Sequence, residues 1–231
     1  MKYSNFIGKQ TVILEEREDT EWSNFWIDKA NTTSNSRTLL IGDSTSRMIR
    51  STLAKKLGTP VDLLASSSGL HDALFVNQMD CFFNSHEYKY QRIFVQIGHH
   101  AEIGVGGEKS ESDWRRFEED FSALIDFLQR KSDFVYVESI YYSVIANSKW
   151  KLNKMLHIKE QYDATVNERK KKKNDIMEMV SERKGLKYID INQYMLDCKK
   201  NFYHKDHIHF EDRAKDYIVE KLTEYIKLEN N

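Results

Sequence analysis

A chain of 231 residues with 40% hydrophobic and 31% charged side chains can bury one sizeable core and falls outside the disordered classes. Its formal net charge of -1 gives no bias toward nucleic acid, and no stretch approaches the roughly 18 apolar residues of a membrane span. Two cysteines, Cys81 and Cys198, make no disulfide framework, and with no apolar N-terminal run resembling a signal peptide the expected compartment is a reducing cytoplasm.

Residues 1–36 precede the first clear strand and read as an extension packed on a main domain at 37–231. A short strand is expected at 11–14. Residues 19–30 carry Trp22, Phe25, Trp26 and Ala30 at i, i+3, i+4 and i+8, the spacing of a helix with a core-facing stripe. The same aromatics could instead line a groove. The first core strand is expected at 38–41 and a helix at 46–57, closed by Gly58-Thr59-Pro60. A second strand follows at 61–65, a turn at 66–69 and a helix at 71–83, where Cys81 beside Phe82 and Phe83 reads as a buried thiol. The third strand, 93–97, runs into Gly98-His99-His100, and a loop follows at 101–111.

Trp114, Phe117, Phe121, Leu124, Ile125 and Leu128 trace one face of a helix at 112–131. A fourth strand is expected at 134–140, an irregular stretch at 141–151, and one long helix at 153–184. The basic run Arg169 to Lys173 inside it reads as a solvated face. A fifth strand at 186–191 and a last helix at 211–227 complete the chain. Five strands alternating with helices predict an α/β, three-layer α/β/α fold with a five-stranded parallel, flavodoxin-like sheet.

Two short motifs carry chemistry. Gly42-Asp43-Ser44 follows the first strand and opens a helix, where ligands of open α/β sheets collect and helix N–H groups point outward. A serine there is either a capping hydroxyl or a nucleophile beside oxyanion donors. Asp206-His207-Ile208-His209 precedes the last helix. It is either a polar loop with a capping aspartate, or a pair in which Asp206 holds Nδ1 of His209 and leaves Nε2 for Ser44. Arg47, three residues after Ser44, could take a substrate carboxylate or phosphate, or pair with a structural Asp or Glu, since a cation near a helix N-terminus calls for a local anion. His71 and Glu138 are further candidates at the rim. His99, His100, His204, His207 and Glu102 match no standard zinc spacing, so no metal or other cofactor is expected.

Together the two motifs resemble those of the SGNH or GDSL hydrolase superfamily. The resemblance spans roughly 38–222 and implies Ser44 as nucleophile, His209 as base and Asp206 as its orienting acid. It also implies an oxyanion hole made by the N–H groups of Ser44 and Gly69. The family's third block is usually Gly-x-Asn-Asp. Here Gly98 is kept, His100 stands where the oxyanion asparagine would be, and Ala101 replaces the aspartate. A neutral imidazole N–H can serve an oxyanion as an amide can. The resemblance implies an esterase acting on a small acylated substrate, an acetylated carbohydrate first; Arg47 and Asp43 are the residues expected to bind it. An O-acyltransferase using the same serine, and a non-catalytic carbohydrate-binding or scaffold protein, are the alternatives. No nucleic-acid partner or membrane span is expected.

Overall fold

The computed structural model describes residues 2–7, 21–32, 36–100, 110–144, 149–156, 158, 164–198, 202–204 and 208–230. Its strands are β1 (Ser23–Trp26), β2 (Thr38–Gly42), β3 (Val61–Ser66), β4 (Tyr90–Val95), β5 (Ser132–Glu138) and β6 (Lys187–Ile189). Between and after them run α1 (Ser44–Leu57), α2 (Ala73–Asn84), α3 (Glu111–Leu128), α4 (Trp150–Met155), α5 (Ala164–Arg183), α6 (Ile191–Asp197) and α7 (Asp212–Lys227). One sheet holds all six strands in the order β1-β3-β2-β4-β5-β6. The last five in that order are parallel and have the expected flavodoxin-like arrangement. Period-2 alternation divides the core. Leu39 and Ile41 face a cluster with Phe75, Phe121 and Met177 of α2, α3 and α5. Leu40 faces the opposite cluster with Leu53, Ile191 and Leu222 of α1, α6 and α7.

The N-terminal segment departs from the helix read at 19–30. Residues 23–26 pair antiparallel with β3, from Ser23 opposite Ser66 to Trp26 opposite Leu63. The unpaired backbone along the edge of β3 outweighs an i, i+3, i+4 apolar spacing that no helix is needed to satisfy. Its aromatics are not a core stripe. Phe25 and Trp26 are 39% and 49% exposed and lie on opposite faces of the strand. Phe25 meets the edge of Phe82, and Trp26 lies under the Arg50 guanidinium.

Three other expectations are corrected. Cys81 is exposed, because α2 turns Met79, Phe82 and Phe83 inward and leaves Cys81 outside. The helix read at 153–184 is two helices, α4 and α5, and α6 follows β6 where no helix was expected. Within the basic run, Lys170 and Lys173 are buried while Lys171 and Lys172 are exposed, so only part of it is a solvated face. The short strand read at 11–14 lies outside the described residues.

Below the amino ends of the parallel strands lies a buried ion pair. Arg37 donates from Nε to Asp62 Oδ2 at 3.0 Å and from Nη2 to Oδ1 at 2.7 Å, with both side chains fully buried. Asp62 also accepts the Asp28 N–H at 2.9 Å and the Tyr90 hydroxyl at 3.0 Å. Arg37 donates in addition to the Asp28 carbonyl, and its guanidinium lies 4.2 Å above the Tyr88 ring. The pair thus ties the segment after β1 to β2, β3 and β4. Removing one partner of such a pair strands the other charge in a low-dielectric interior. Asp62→Ala is therefore expected to lower stability by about 3–5 kcal/mol. Urea unfolding midpoints of the two proteins check this.

Candidate active site

The site is built where β2 ends. An added Cβ on Gly42 would sit 2.1 Å from Ser46 Oγ and 2.8 Å from the Gln96 carbonyl oxygen, so only glycine lets α1 start this close to the end of β4. Asp43 then caps α1. Its Oδ1 accepts the Thr45 N–H at 2.7 Å and the Thr45 hydroxyl at 2.7 Å. Asp43 is buried, so the carboxylate assigned to substrate by its sequence position serves the helix instead. With Asp43 as N-cap, Ser44 becomes the first helical residue. Its hydroxyl is half-exposed beside the first free N–H groups of the helix.

His209 arrives from the other end of the chain. Residues 202–204 and 209–211 form a short antiparallel clamp, with the His204 N–H to the His209 carbonyl at 2.8 Å and the Glu211 N–H to the Phe202 carbonyl at 2.7 Å. Phe210 is buried between Tyr141 and Tyr203, with ring centroids 4.8 Å from each, and this anchors the loop. The result is a contact of 2.8 Å between Ser44 Oγ and His209 Nε2. That is the distance at which an imidazole can take a hydroxyl proton. Asp206, His207, Glu102 and Ala101 lie outside the described residues.

Gly69 follows β3. Its carbonyl accepts the Asp72 N–H at 3.0 Å, and neither its own N–H nor that of Ser44 is spent on an acceptor among the described residues. Ahead of Gly69, the hydroxyls of Ser67 and Ser68 each donate to Glu21 Oε2 at 2.9 Å. The Trp22 N–H donates to Ser67 Oγ at 2.8 Å. The N-terminal segment therefore reaches the site, which the helical reading of 19–30 missed. Trp22 stands between two expected site residues. The Arg47 guanidinium is 5.5 Å from its ring centroid, and the His100 ring meets it edge to face at 6.3 Å.

Behind Ser44 a polar network crosses the carboxyl edge of the sheet. The Thr45 hydroxyl also contacts Gln96 Oε1, Gln96 Nε2 donates to the Ser139 carbonyl at 2.8 Å, and the Ser139 hydroxyl donates to Asp190 at 3.0 Å. On the far side, α5 presents Asn167, Lys170, Lys173 and Asn174. Asn167 and Asn174 bind the backbone of Ser143 and Ile140, and Lys170 Nζ donates to Ser143 Oγ at 2.7 Å. Lys173 Nζ donates to the Gly98 carbonyl at 2.7 Å. Gly98 holds φ at 107°, a conformation other residues rarely adopt, and an added Cβ would sit 3.2 Å from Ile140 Cδ1. Burial pushes the His99 imidazole down to about 3, helped by Lys170, His100 and Lys173 and opposed by Asp43, so that ring is neutral at physiological pH.

Two residues read as rim candidates are inside. His71 is buried on the loop after Gly69. Glu138 is buried at the end of β5, and desolvation, with Asp43 adding to it, pushes its carboxyl up to about 8. Between the ordinary carboxylate range and pH 8 the folded protein binds a proton that the unfolded chain releases. The Glu138 contribution to stability therefore falls as pH rises through that window, by at most about 1.4 kcal/mol per pH unit for one proton, while the depressed His99 imidazole acts in the opposite sense up to its ordinary range. Glu138→Gln is expected to remove this decline and to be more stable than the parent at pH 8. Thermal unfolding of both proteins across pH 5–9 checks this.

Sequence comparison matches the chain to no family model and to no curated protein. Solved structures match at low identity and high coverage. A Bacteroides fragilis protein assigned as an acylhydrolase shares 12% identity at a TM-score of 0.59, with 87% of this chain and 90% of that one covered. A Slackia heliotrinireducens protein assigned to the SGNH hydrolases shares 12% identity at 0.56, with 82% and 97% covered. A mutant of Axe2, an acetyl-xylooligosaccharide esterase of Geobacillus stearothermophilus, shares 10% identity at 0.53, with 82% and 93% covered. No helix among the described residues is long and apolar enough to cross a membrane. A six-stranded sheet with helices on both faces, and matches of this kind over most of both chains, give the protein the three-layer fold of the SGNH hydrolases.

Proposed function

We propose that this protein is a serine ester hydrolase that removes a small acyl group, acetyl first, from a carbohydrate. The observation that carries the reading is the 2.8 Å contact between Ser44 Oγ and His209 Nε2, made by residues 165 positions apart. His209 takes the Ser44 proton as Oγ attacks the ester carbonyl. The oxyanion of the tetrahedral intermediate is held by the N–H groups of Ser44 and Gly69, at the positive end of α1. His209 then protonates the leaving alcohol, and water repeats the sequence on the acyl-serine to release the acid. Asp206 is assigned the orientation of His209, on its spacing and the family resemblance. Acetyl-carbohydrate specificity is supported by the likeness to an acetyl-xylooligosaccharide esterase, which is a likeness of fold.

Ser44→Ala is expected to abolish labelling by a fluorophosphonate probe and to lower hydrolysis of 4-nitrophenyl acetate by several orders of magnitude, with the fold intact by circular dichroism. Unchanged turnover would remove Ser44 from the mechanism.

His100 is assigned a third donor to the oxyanion. His100→Ala should lower kcat by roughly 10²–10³, the usual effect of losing one such donor. His100→Asn should keep most of the activity, because an amide N–H can reach the same oxygen. Near-parental kcat in both variants would give the oxyanion to the backbone donors alone.

A further inference from the structure

We infer that Trp22 and Arg47 form a subsite for a carboxylate carried by the substrate, an inference that rests on the esterase reading and narrows its substrate class. Arg47 lies one turn after Ser44, so i, i+3 geometry puts both side chains on the same face of α1. It is exposed, and its guanidinium lies over the Trp22 ring. No carboxylate among the described residues pairs with it, although nine other ion pairs are formed there.

A cation in the first turns of a helix opposes the macrodipole, so nothing in the stability of α1 calls for it. A guanidinium over a ring is held by its charge, and its fork of N–H donors can still take a planar carboxylate in bidentate geometry. Trp22 is itself held in place from behind. Its N–H is bound to Ser67 Oγ, its carbonyl accepts the Ser67 N–H at 3.1 Å, and β1 continues directly from it. One guanidinium matches one negative charge. The buried ammonium groups of Lys170 and Lys173 bind Ser143 and Gly98, so a carboxylate fits better than a phosphate dianion.

The test has a kinetic and a binding arm. The kinetic arm compares 4-nitrophenyl acetate, mono-4-nitrophenyl succinate (charge on the acyl side) and 4-acetoxybenzoate (charge on the alcohol side). For one of the charged esters, the ratio of its kcat/KM to that of the neutral ester is expected to fall at least tenfold in Arg47→Met. It should fall less in Arg47→Lys, and the parental ratio should shrink with added salt. Equal ratios in parent and Arg47→Met for both charged esters would overturn the subsite.

The binding arm needs no turnover. In Ser44→Ala protein, the Trp22 indole N–H resonance, identified by its loss in Trp22→Phe, should shift saturably with succinate. It should not shift once Arg47→Met is added. Absence of the shift overturns the subsite whatever the kinetics show, and a shift with inorganic phosphate but not succinate overturns the carboxylate assignment. A succinate shift with no hydrolysis of 4-nitrophenyl acetate by the parent protein upholds the subsite and overturns the esterase reading alone.

Discussion

The site depends on the absence of one carbon atom. At residue 42 the end of β2, the first turn of α1 and the backbone after β4 converge so closely that any side chain would overlap Ser46 and the Gln96 carbonyl. Because glycine permits that approach, Asp43 can turn inward as the N-cap and Ser44 can stand at the mouth of the helix. The same convergence brings Thr45 against Gln96 and so connects α1 to the ends of β4, β5 and β6. The position of the serine is thus a packing result first and a chemical one second.

A second support comes from the opposite end of the sheet. The Arg37–Asp62 pair is buried, and a buried pair is weak evidence for stability in itself. Its geometry gives it a different use. Asp62 and Arg37 accept from and donate to the backbone of Asp28, two residues after β1. This fixes where the edge strand sits along β3. The register of β1 in turn sets where Trp22 emerges, because moving a strand by one residue inverts its faces. A charge pair below the sheet therefore helps place an aromatic ring above it.

The parts legible in the sequence are those whose signals are local. Gly42-Asp43-Ser44 and the segment ending in His209 are compact patterns at strand-to-helix junctions, and the alternation of strands and helices gave the parallel sheet. The edge strand was hidden because Trp22, Phe25, Trp26 and Ala30 have helical spacing, while the hydrogen bonds that decide the outcome come from residues about forty positions away. Lys170 and Lys173 were hidden inside a run of like charges. The i, i+3, i+6 and i+7 spacing of Asn167, Lys170, Lys173 and Asn174, which places them on one helical face, was the available signal for a polar face turned toward backbone. Glu138 carried no signal of burial, since a carboxylate ending a strand usually meets water.

The four polar side chains of α5 have a consequence for how such a site can change. Asn167, Lys173 and Asn174 bind the main chain of the segment after β5 and of Gly98, and only Lys170 uses a side chain, the Ser143 hydroxyl, so that wall is fixed mostly through backbone atoms which every sequence shares. Substitutions within the segment would leave its path largely unaltered, and substitutions on α5 would disturb the whole wall at once. The opposite wall is made of side chains: Trp22 just before the strand added at the sheet edge, Arg47 on the helix surface, and His100 against the Trp22 ring. Single replacements on that side would alter the surface beside Ser44 without moving the serine.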